Sequence, residues 1–221
     1  MKVELKGDIW ESLFPHAFTL MDEVRKHGGI EPLWTFGGGT VLMLRYRHRF
    51  SRDIDLFVPD PQYLGYVTPR LSDAAEAISP DYLEQANFVK LVLEAGEIDI
   101  VAAANLTEHP FEVWEIMGQP VKVETAAEIV AKKLYHRGDR AAARDLFDLA
   151  TVIDREPAAL AAAAPYLQRH AQAFVRQIQA APPIMREQFE RIQRLDFQRG
   201  FDECVVLASD FLLAFVEAKP G

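Results

Sequence analysis

A glycine-rich turn followed by a pair of aspartates constrains the fold of this chain more than any other feature. The turn, Gly37-Gly38-Gly39-Thr40, comes directly after the apolar run Leu33-Trp34-Thr35-Phe36. Further along, Asp53-Ile54-Asp55-Leu56-Phe57-Val58 places its aspartates on one face of a strand and its aliphatic side chains on the other. This order predicts a buried strand, a tight turn into a short helix, and a second strand that carries two carboxylates.

These motifs have the residue types of a site that binds phosphate and a divalent cation. Asp53 and Asp55 are two positions apart, so a strand points both carboxylates the same way, as a hard cation requires. A glycine turn that opens a helix directs backbone N–H groups at an anion. Asp99, on the polar face of a later strand, would complete a two-metal site. An isolated Asp-x-Asp is more often a solvated strand face, so the prediction depends on the order of the motifs.

The rest of the first half predicts helices around a mixed sheet. Residues 8–27 have apolar side chains at helical spacing, ended by two glycines and with a break or second start at Pro15. Residues 86–103 have the pattern of a hairpin that turns at Ala95-Gly96. A short strand at 121–123 is predicted to close the sheet.

From Thr125 onward the chain is predicted to be almost wholly helical. Thr125 and Glu128 have the spacing of a capping box, which would begin a helix that ends near His136. The change in composition near residue 120 marks the predicted domain boundary. Further helices of a bundle are predicted over residues 140–153, 158–164, 168–179, 183–193 and 198–217.

Charge and composition exclude several classes of protein. The chain has 24 Lys and Arg against 33 Asp and Glu, a net charge of −9, so neither a nucleic-acid coat nor stable DNA binding is expected. The single cysteine, Cys204, excludes an internal disulfide framework and lies in an apolar helical stripe, which predicts a buried, unreactive thiol. No apolar run reaches the roughly 18 residues of a membrane span, and a soluble cytoplasmic protein is predicted.

Residues 45–52 nevertheless concentrate positive charge, with four arginines, one histidine and two aromatic residues. Two interpretations stay open. The segment is either a contact for a nucleotide or an RNA acceptor, or a solvated loop whose arginines pair with local acids. Its histidine, His48, is more typical of a hydrogen-bond donor than of a base.

A second group of charged residues lies on the predicted helices after residue 125. Lys133 and Arg137 share one helix face, and Arg140, Arg144 and Asp148 repeat that spacing on the next helix. The group is either a cationic face that closes over a triphosphate or a set of surface ion pairs, such as Arg144 with Asp148.

Taken in order, these motifs resemble the nucleotidyltransferase superfamily related to DNA polymerase β and, more narrowly, the AbiEii/AbiGii abortive-infection toxin family. Each motif alone is weak, but the ordered series is specific and extends from residue 33 to about 153. The segments that carry the resemblance are residues 36–42, 48–57, 97–99, 131–134 and 144–149.

The resemblance implies an α+β fold with a nucleotidyltransferase-type mixed sheet over residues 1–120, flanked by helices. A helical domain over 121–221 would close the nucleotide cleft. It also implies Mg²⁺-dependent transfer of a nucleoside monophosphate from an NTP to an acceptor such as tRNA, in a bacterial toxin–antitoxin or abortive-infection system with a cognate antitoxin. Two alternatives stay open: a small-molecule (antibiotic-type) adenylyltransferase, and a non-catalytic module that binds a nucleotide or a partner.

The resemblance also assigns roles to residues. Asp53, Asp55 and Asp99 would bind the metal ions, with Asp99 also activating the acceptor hydroxyl. Lys132 and Arg137 compete with Lys133 and Arg140 for the triphosphate contact. The residues implied to bind the nucleotide are Gly38, Gly39, Thr40, Ser51, Lys133, Arg140, Arg144 and Asp148.

Overall fold

The computed structural model describes residues 9–29, 31 and 33–217, and the chain divides into two compact units. Each unit is built from separate stretches of the chain. The first contains the described residues up to Val41, Ser51–Asn105 and Phe111–Glu124; the second contains Leu42–Phe50, Leu106–Pro110 and the described residues from Thr125 onward.

Strands and helices are mixed up to Glu124, and the elements described beyond it are helices. No described helix is both long and apolar enough to cross a membrane. The strands are β1 (Thr35–Gly37), β2 (Ile54–Val58), β3 (Tyr82–Gln85), β4 (Phe88–Val92), β5 (Glu97–Ala102), β6 (Phe111–Ile116) and β7 (Gln119–Glu124). The helices are α1 (Ile9–Gly28), α2 (Gly38–Tyr46), α3 (Leu64–Val67), α4 (Asp73–Ile78), α5 (Ala126–Arg137), α6 (Ala143–Arg155), α7 (Pro157–Ala162), α8 (Ala164–Leu167), α9 (Ala171–Ala180), α10 (Pro183–Glu190) and α11 (Phe201–Glu217), with a 3-10 turn at Pro61–Tyr63.

The strands form one mixed sheet in the order β3-β4-β5-β2-β1-β7-β6. β2 is parallel to β5 and β1 is parallel to β7, while the other neighbours are antiparallel. The strand predicted over 53–58 is observed as β2, with Ile54, Leu56 and Val58 buried and Asp55 partly exposed on the opposite face. The predicted hairpin is observed as β4 and β5. The α+β class is therefore confirmed.

The first helix packs on the sheet through aromatic side chains. Trp10 and Phe14 are fully buried and contact Phe36 of β1, with ring centroids 6.0 and 4.9 Å apart. α1 continues through Pro15, so the break predicted there is wrong. The burial of this aromatic face outweighs the cost of an internal proline, about 3 kcal/mol. Gly29, with φ +68°, follows the helix as the predicted stop.

The sequence pattern does not predict the edge strands β3 and β6. Most of their side chains are exposed, including Leu83 and Val113 at 59% each. β3 buries no side chain and β6 alternates only over its last residues, so neither has the full alternation of a half-buried strand. Because β6 lies outside β7, the strand predicted to close the sheet at 121–123 is an interior strand. The first strand is also shifted, to Thr35–Gly37 from the predicted Leu33–Phe36.

In the second unit, α6 packs against α5, α7, α10 and α11. Its inward side chains Leu146, Leu149 and Ile153 are buried as predicted. The remaining predicted helices are observed as α7, α9, α10 and α11, and α8 is an additional short helix. Cys204 of α11 is buried, and burial raises the pKa of its thiol to about 12, as expected of an unreactive cysteine.

α5 begins with half of the predicted capping box. Thr125 Oγ1 accepts a hydrogen bond from the backbone N–H of Glu128 at 3.3 Å. The Glu128 carboxylate does not return to the cap. It accepts instead from the backbone N–H groups of Leu106 and Thr107, at 2.9 and 2.8 Å. Glu128 therefore fixes the stretch before β6 onto α5 rather than completing the reciprocal cap.

Candidate functional site

The glycine turn at the end of β1 packs directly against Asp55, one of the candidate catalytic aspartates. Gly38 has φ +73°, a conformation that side chains other than glycine rarely adopt. A Cβ atom at Gly38 would lie 1.8 Å from Asp55 Oδ2. Both the backbone angle and the close approach therefore require glycine, and the turn brings the start of α2 onto the Asp55 carboxylate.

Hydroxyl groups join this turn to the segment that precedes β2. Thr40 is fully buried, and its Oγ1 donates to the carbonyl oxygen of Asp53 at 2.5 Å. Ser51 Oγ lies 3.0 Å from the same hydroxyl. Both residues were implied to bind the nucleotide, and their observed contacts fix the turn relative to the aspartates.

Asp55 and Asp99 are direct neighbours across the parallel strands β2 and β5. Burial raises the pKa of Asp99 to about 7, and repulsion from the Asp55 carboxylate acts in the same direction. Lys90 on β4 opposes this shift, with its Nζ 3.3 Å from Asp99 Oδ2. The sheet therefore holds two carboxylates close enough to repel each other, with one ammonium group beside them.

Asp53 has a different environment. It precedes β2, and its Oδ1 accepts a hydrogen bond from the backbone N–H of Glu97 at 3.1 Å. Among the residues the structure describes, no three His, Cys, Asp or Glu side chains are grouped to hold a metal ion. Asp55 and Asp99 still fit Mg²⁺, which takes one or two carboxylates and completes its shell with water and phosphate oxygens.

Substituting Gly38 tests how tightly the turn and Asp55 fit. We expect Gly38→Ala to lose about 1–2 kcal/mol from its left-handed backbone and about 1–3 kcal/mol more from overlap with Asp55. The activity that the resemblance implies, nucleotidyl transfer, should fall as well, because Asp55 must move. Urea denaturation and a transfer assay measure the two effects.

Gly118 provides the matched control for this substitution. It has φ +76°, but a Cβ atom there would meet nothing within 4 Å. Gly118→Ala should therefore lose only the backbone contribution and keep full transfer activity. Equal losses of stability in the two variants would contradict the close contact between Gly38 and Asp55.

A second group of candidate residues surrounds Asp148 in the second unit. The Asp148 side chain is fully buried and accepts hydrogen bonds from Arg49 Nε at 2.7 Å and Arg49 Nη2 at 2.9 Å. His48 Nε2 lies 2.8 Å from the same carboxylate, and Lys133 Nζ also donates to it. Burial alone would raise the pKa of Asp148, but the charges of Arg49 and Lys133 hold it well below its usual value.

Asp145 extends this network on the same face of α6. It accepts hydrogen bonds from Lys133 Nζ at 3.0 Å and from Arg137 Nη2 at 2.7 Å. Lys133 is therefore held by two aspartates and is only 12% exposed. The adjacent Lys132 is 4% exposed and has its Nζ 3.4 Å from Glu128. Of the two candidate lysines, Lys133 is the one in the aspartate network.

Arg140 and Arg144 do not extend this network as predicted. α6 begins at Ala143, so Arg140 lies in the preceding turn, where it is 79% exposed and 3.9 Å from Asp139. The repeat of Arg140, Arg144 and Asp148 along one helix is therefore wrong. Pairing of Arg144 with Asp148, the surface alternative, is also wrong, because Arg144 is exposed and the buried Asp148 binds other groups. A nucleotide contact by either arginine stays a prediction.

The basic segment 45–52 contributes to structure more than its composition indicates. His48 and Arg49 are buried against Asp148. Arg47 is 71% exposed and has its Nε 3.2 Å from Asp196, as the local-pairing interpretation expects, and Arg52 is exposed. The sequence pattern does not predict the Arg49 contact. The available signal was that an arginine and an aspartate occur in two motifs of the same ordered series.

Comparison with protein-family models identifies the family of this chain. A family model described as "Nucleotidyl transferase AbiEii toxin, Type IV TA system" matches residues 19–218. This chain belongs to the AbiEii nucleotidyltransferase toxin family. The match extends well beyond residue 153, so the C-terminal helices are part of the family's architecture. Among curated proteins, none matches this AbiEii-family chain.

A solved structure with a TM-score above 0.5 shows the same fold at low sequence identity. The AbiEii-family chain is similar to MenT4, a nucleotidyltransferase toxin from Mycobacterium tuberculosis H37Rv. The two are 15% identical with a TM-score of 0.55, over 96% of this chain and 84% of that one. JHP933 from Helicobacter pylori is 14% identical with a TM-score of 0.49, over 96% of this chain and 94% of that one. The fold comparison rests on MenT4.

Proposed function

We propose that this AbiEii-family protein transfers a nucleoside monophosphate from an NTP to RNA, with tRNA as the leading candidate, and releases pyrophosphate. The observation that carries the proposal is the alignment of Asp55 with Asp99 on adjacent strands, with the Gly38 turn packed against Asp55. Family membership supports nucleotidyl transfer by a toxin of a type IV toxin–antitoxin system. We further propose a cognate antitoxin as its protein partner.

In this proposal Asp55 and Asp99, paired across β2 and β5, would hold Mg²⁺. The metal would neutralise phosphate charge as it builds on the leaving group. The acceptor hydroxyl oxygen bonds to the α-phosphorus, the bond to the bridging oxygen breaks, and pyrophosphate leaves with the electron pair. Asp99 positions the attacking hydroxyl and accepts its proton as the new bond forms. Backbone N–H groups at Gly38 and Gly39 contact phosphate oxygens.

The remaining contacts are assigned to cationic side chains. Lys133, fixed by its two aspartates, binds the triphosphate. Its positive charge stabilises the negative charge that builds on the leaving pyrophosphate. RNA is the favoured acceptor because the exposed Arg52 directly precedes Asp53 and can contact a phosphodiester backbone. A small-molecule acceptor would not need this arginine.

The test incubates the protein with each α-labelled NTP, Mg²⁺ and total bacterial RNA. We expect label in an RNA species with at least one NTP, and loss of that label with EDTA. Parallel reactions contain antibiotic-type small molecules in place of RNA. Absence of label from RNA with every NTP would overturn the RNA proposal, and label in the small-molecule fraction alone would replace it with the adenylyltransferase alternative.

A further inference from the structure

His48 and Arg49 act on one buried acceptor, Asp148. Arg49 binds it through two N–H groups, Nε to Oδ1 at 2.7 Å and Nη2 to Oδ2 at 2.9 Å. His48 Nε2 lies 2.8 Å from Oδ1. An ionised carboxylate only accepts hydrogen bonds, so this His48 nitrogen carries the proton. Three donors thus determine how the carboxylate of Asp148 is oriented.

The oriented carboxylate in turn holds Lys133. Lys133 Nζ donates to Asp148 Oδ2, the oxygen that also accepts from Arg49 Nη2. A lysine side chain has four rotatable carbon–carbon bonds, so its ammonium group alone would occupy many positions. A bidentate arginine fixes the plane of a carboxylate. The contacts therefore form a chain from Arg49 through Asp148 to the lysine ammonium.

Stability alone does not explain this arrangement. Burying an ion pair costs desolvation energy that its attraction often only offsets, and apolar residues of similar size are commonly as stable. Asp148 is fully buried and Arg49 is 6% exposed, so both pay the desolvation cost. A group that fixes a reactive or binding side chain gains from preorganisation instead.

We propose that Arg49, assisted by His48, is a positioning residue for NTP binding. Through Asp148 it fixes the Lys133 ammonium, the group assigned to the triphosphate. The proposal rests on the proposed function, in which Lys133 contacts the triphosphate. Neither Arg49 nor His48 touches the nucleotide in this account.

A double-mutant cycle tests whether Arg49 acts through Lys133. The variants are Arg49→Lys, Lys133→Met and the two combined, and the readout is the Kd for each α,β-methylene NTP with Mg²⁺. We expect each single variant to raise the Kd about tenfold. The double variant should bind no more weakly than Lys133→Met, because Arg49 has no effect without the lysine.

Arg199→Lys is the matched control. Arg199 also pairs with an aspartate of α6, Asp154, at 2.6 Å, but Arg199 is 41% exposed. The Kd of the Arg199→Lys variant for the NTP analogue should therefore equal that of the wild type. Thermal unfolding verifies that each variant is folded. If Arg49→Lys does not fold, His48→Leu replaces it in the cycle. The double variant with Lys133→Met should again bind the NTP analogue no more weakly than Lys133→Met alone.

The outcomes separate the two proposals. Losses that multiply in the double variant, or unchanged binding in Arg49→Lys or Lys133→Met, overturn the positioning role while nucleotide binding by the wild type still supports the proposed function. A wild-type protein that binds no NTP analogue overturns both proposals.

Discussion

Replacing Asp55 by asparagine is expected to reduce nucleotidyl transfer by about a thousandfold or more. The substitution keeps the shape of the side chain but removes the charge that a divalent cation needs. It should not lower stability. Burial and, after it, repulsion from Asp55 raise the pKa of Asp99, and in the absence of metal the substitution removes that repulsion. Initial rates of label transfer and the thermal unfolding midpoint measure the two effects.

Asp73→Asn is the control for this experiment. Asp73 is exposed in the first turn of α4, so the same chemical change there should leave the transfer rate within about twofold. Retention of the wild-type rate by Asp55→Asn would remove Asp55 from the metal site. A folded but inactive Asp55→Asn protein, beside an active Asp73→Asn protein, is the expected pair of results.

Local patterns predict the elements that carry the first candidate group. The alternation in β2 and the hairpin of β4 and β5 follow from side-chain period and turn residues, which are properties of neighbouring positions. The glycine requirement at Gly38 is also visible in the sequence as a turn. What the sequence cannot show is that its α-carbon faces Asp55, because this depends on the pairing of β1 with β2.

The second candidate group shows where local reasoning ends. Arg49 and Asp148 are 99 residues apart in the chain, and no spacing rule relates them. Helical spacing allows Arg144 as a partner of Asp148, since i, i+4 neighbours share a face. The fold instead turns Asp148 inward and leaves Arg144 exposed. A buried carboxylate requires cationic or donor partners, and only the tertiary fold decides which segments supply them.

The sequence does not predict the edge strands for a related reason. β3 and β6 each pair on one side only. β3 buries no side chain and β6 buries only Trp114 and Ile116, so neither shows the continuous alternation that predicts a strand. The capping box was half correct because the N-cap hydroxyl contact is local. The Glu128 carboxylate instead accepts hydrogen bonds from the backbone N–H groups of Leu106 and Thr107, which lie far from it in sequence.

Removing the Asp148 carboxylate is expected to have the largest effect on stability. Asp148→Ala leaves Arg49, Lys133 and His48 buried without their shared acceptor, and breaking a buried ion pair from one side typically costs about 3–5 kcal/mol. Urea denaturation should show this loss as a lower midpoint. Asp148→Asn should lose less, since the amide oxygen still accepts one hydrogen bond.

Asp154→Ala on the same helix is the matched comparison for this loss. Asp154 is 31% exposed, with its carboxylate 2.6 Å from Arg199 and 3.9 Å from Arg155. Because exposed ion pairs contribute about 0–1 kcal/mol, its removal should change the free energy of unfolding by no more than that. The difference between the two variants measures what burial adds to the same chemical group on the same helix. Equal losses would mean that the cations around Asp148 reach water once the carboxylate is gone, and the network would then be too loosely held to fix Lys133.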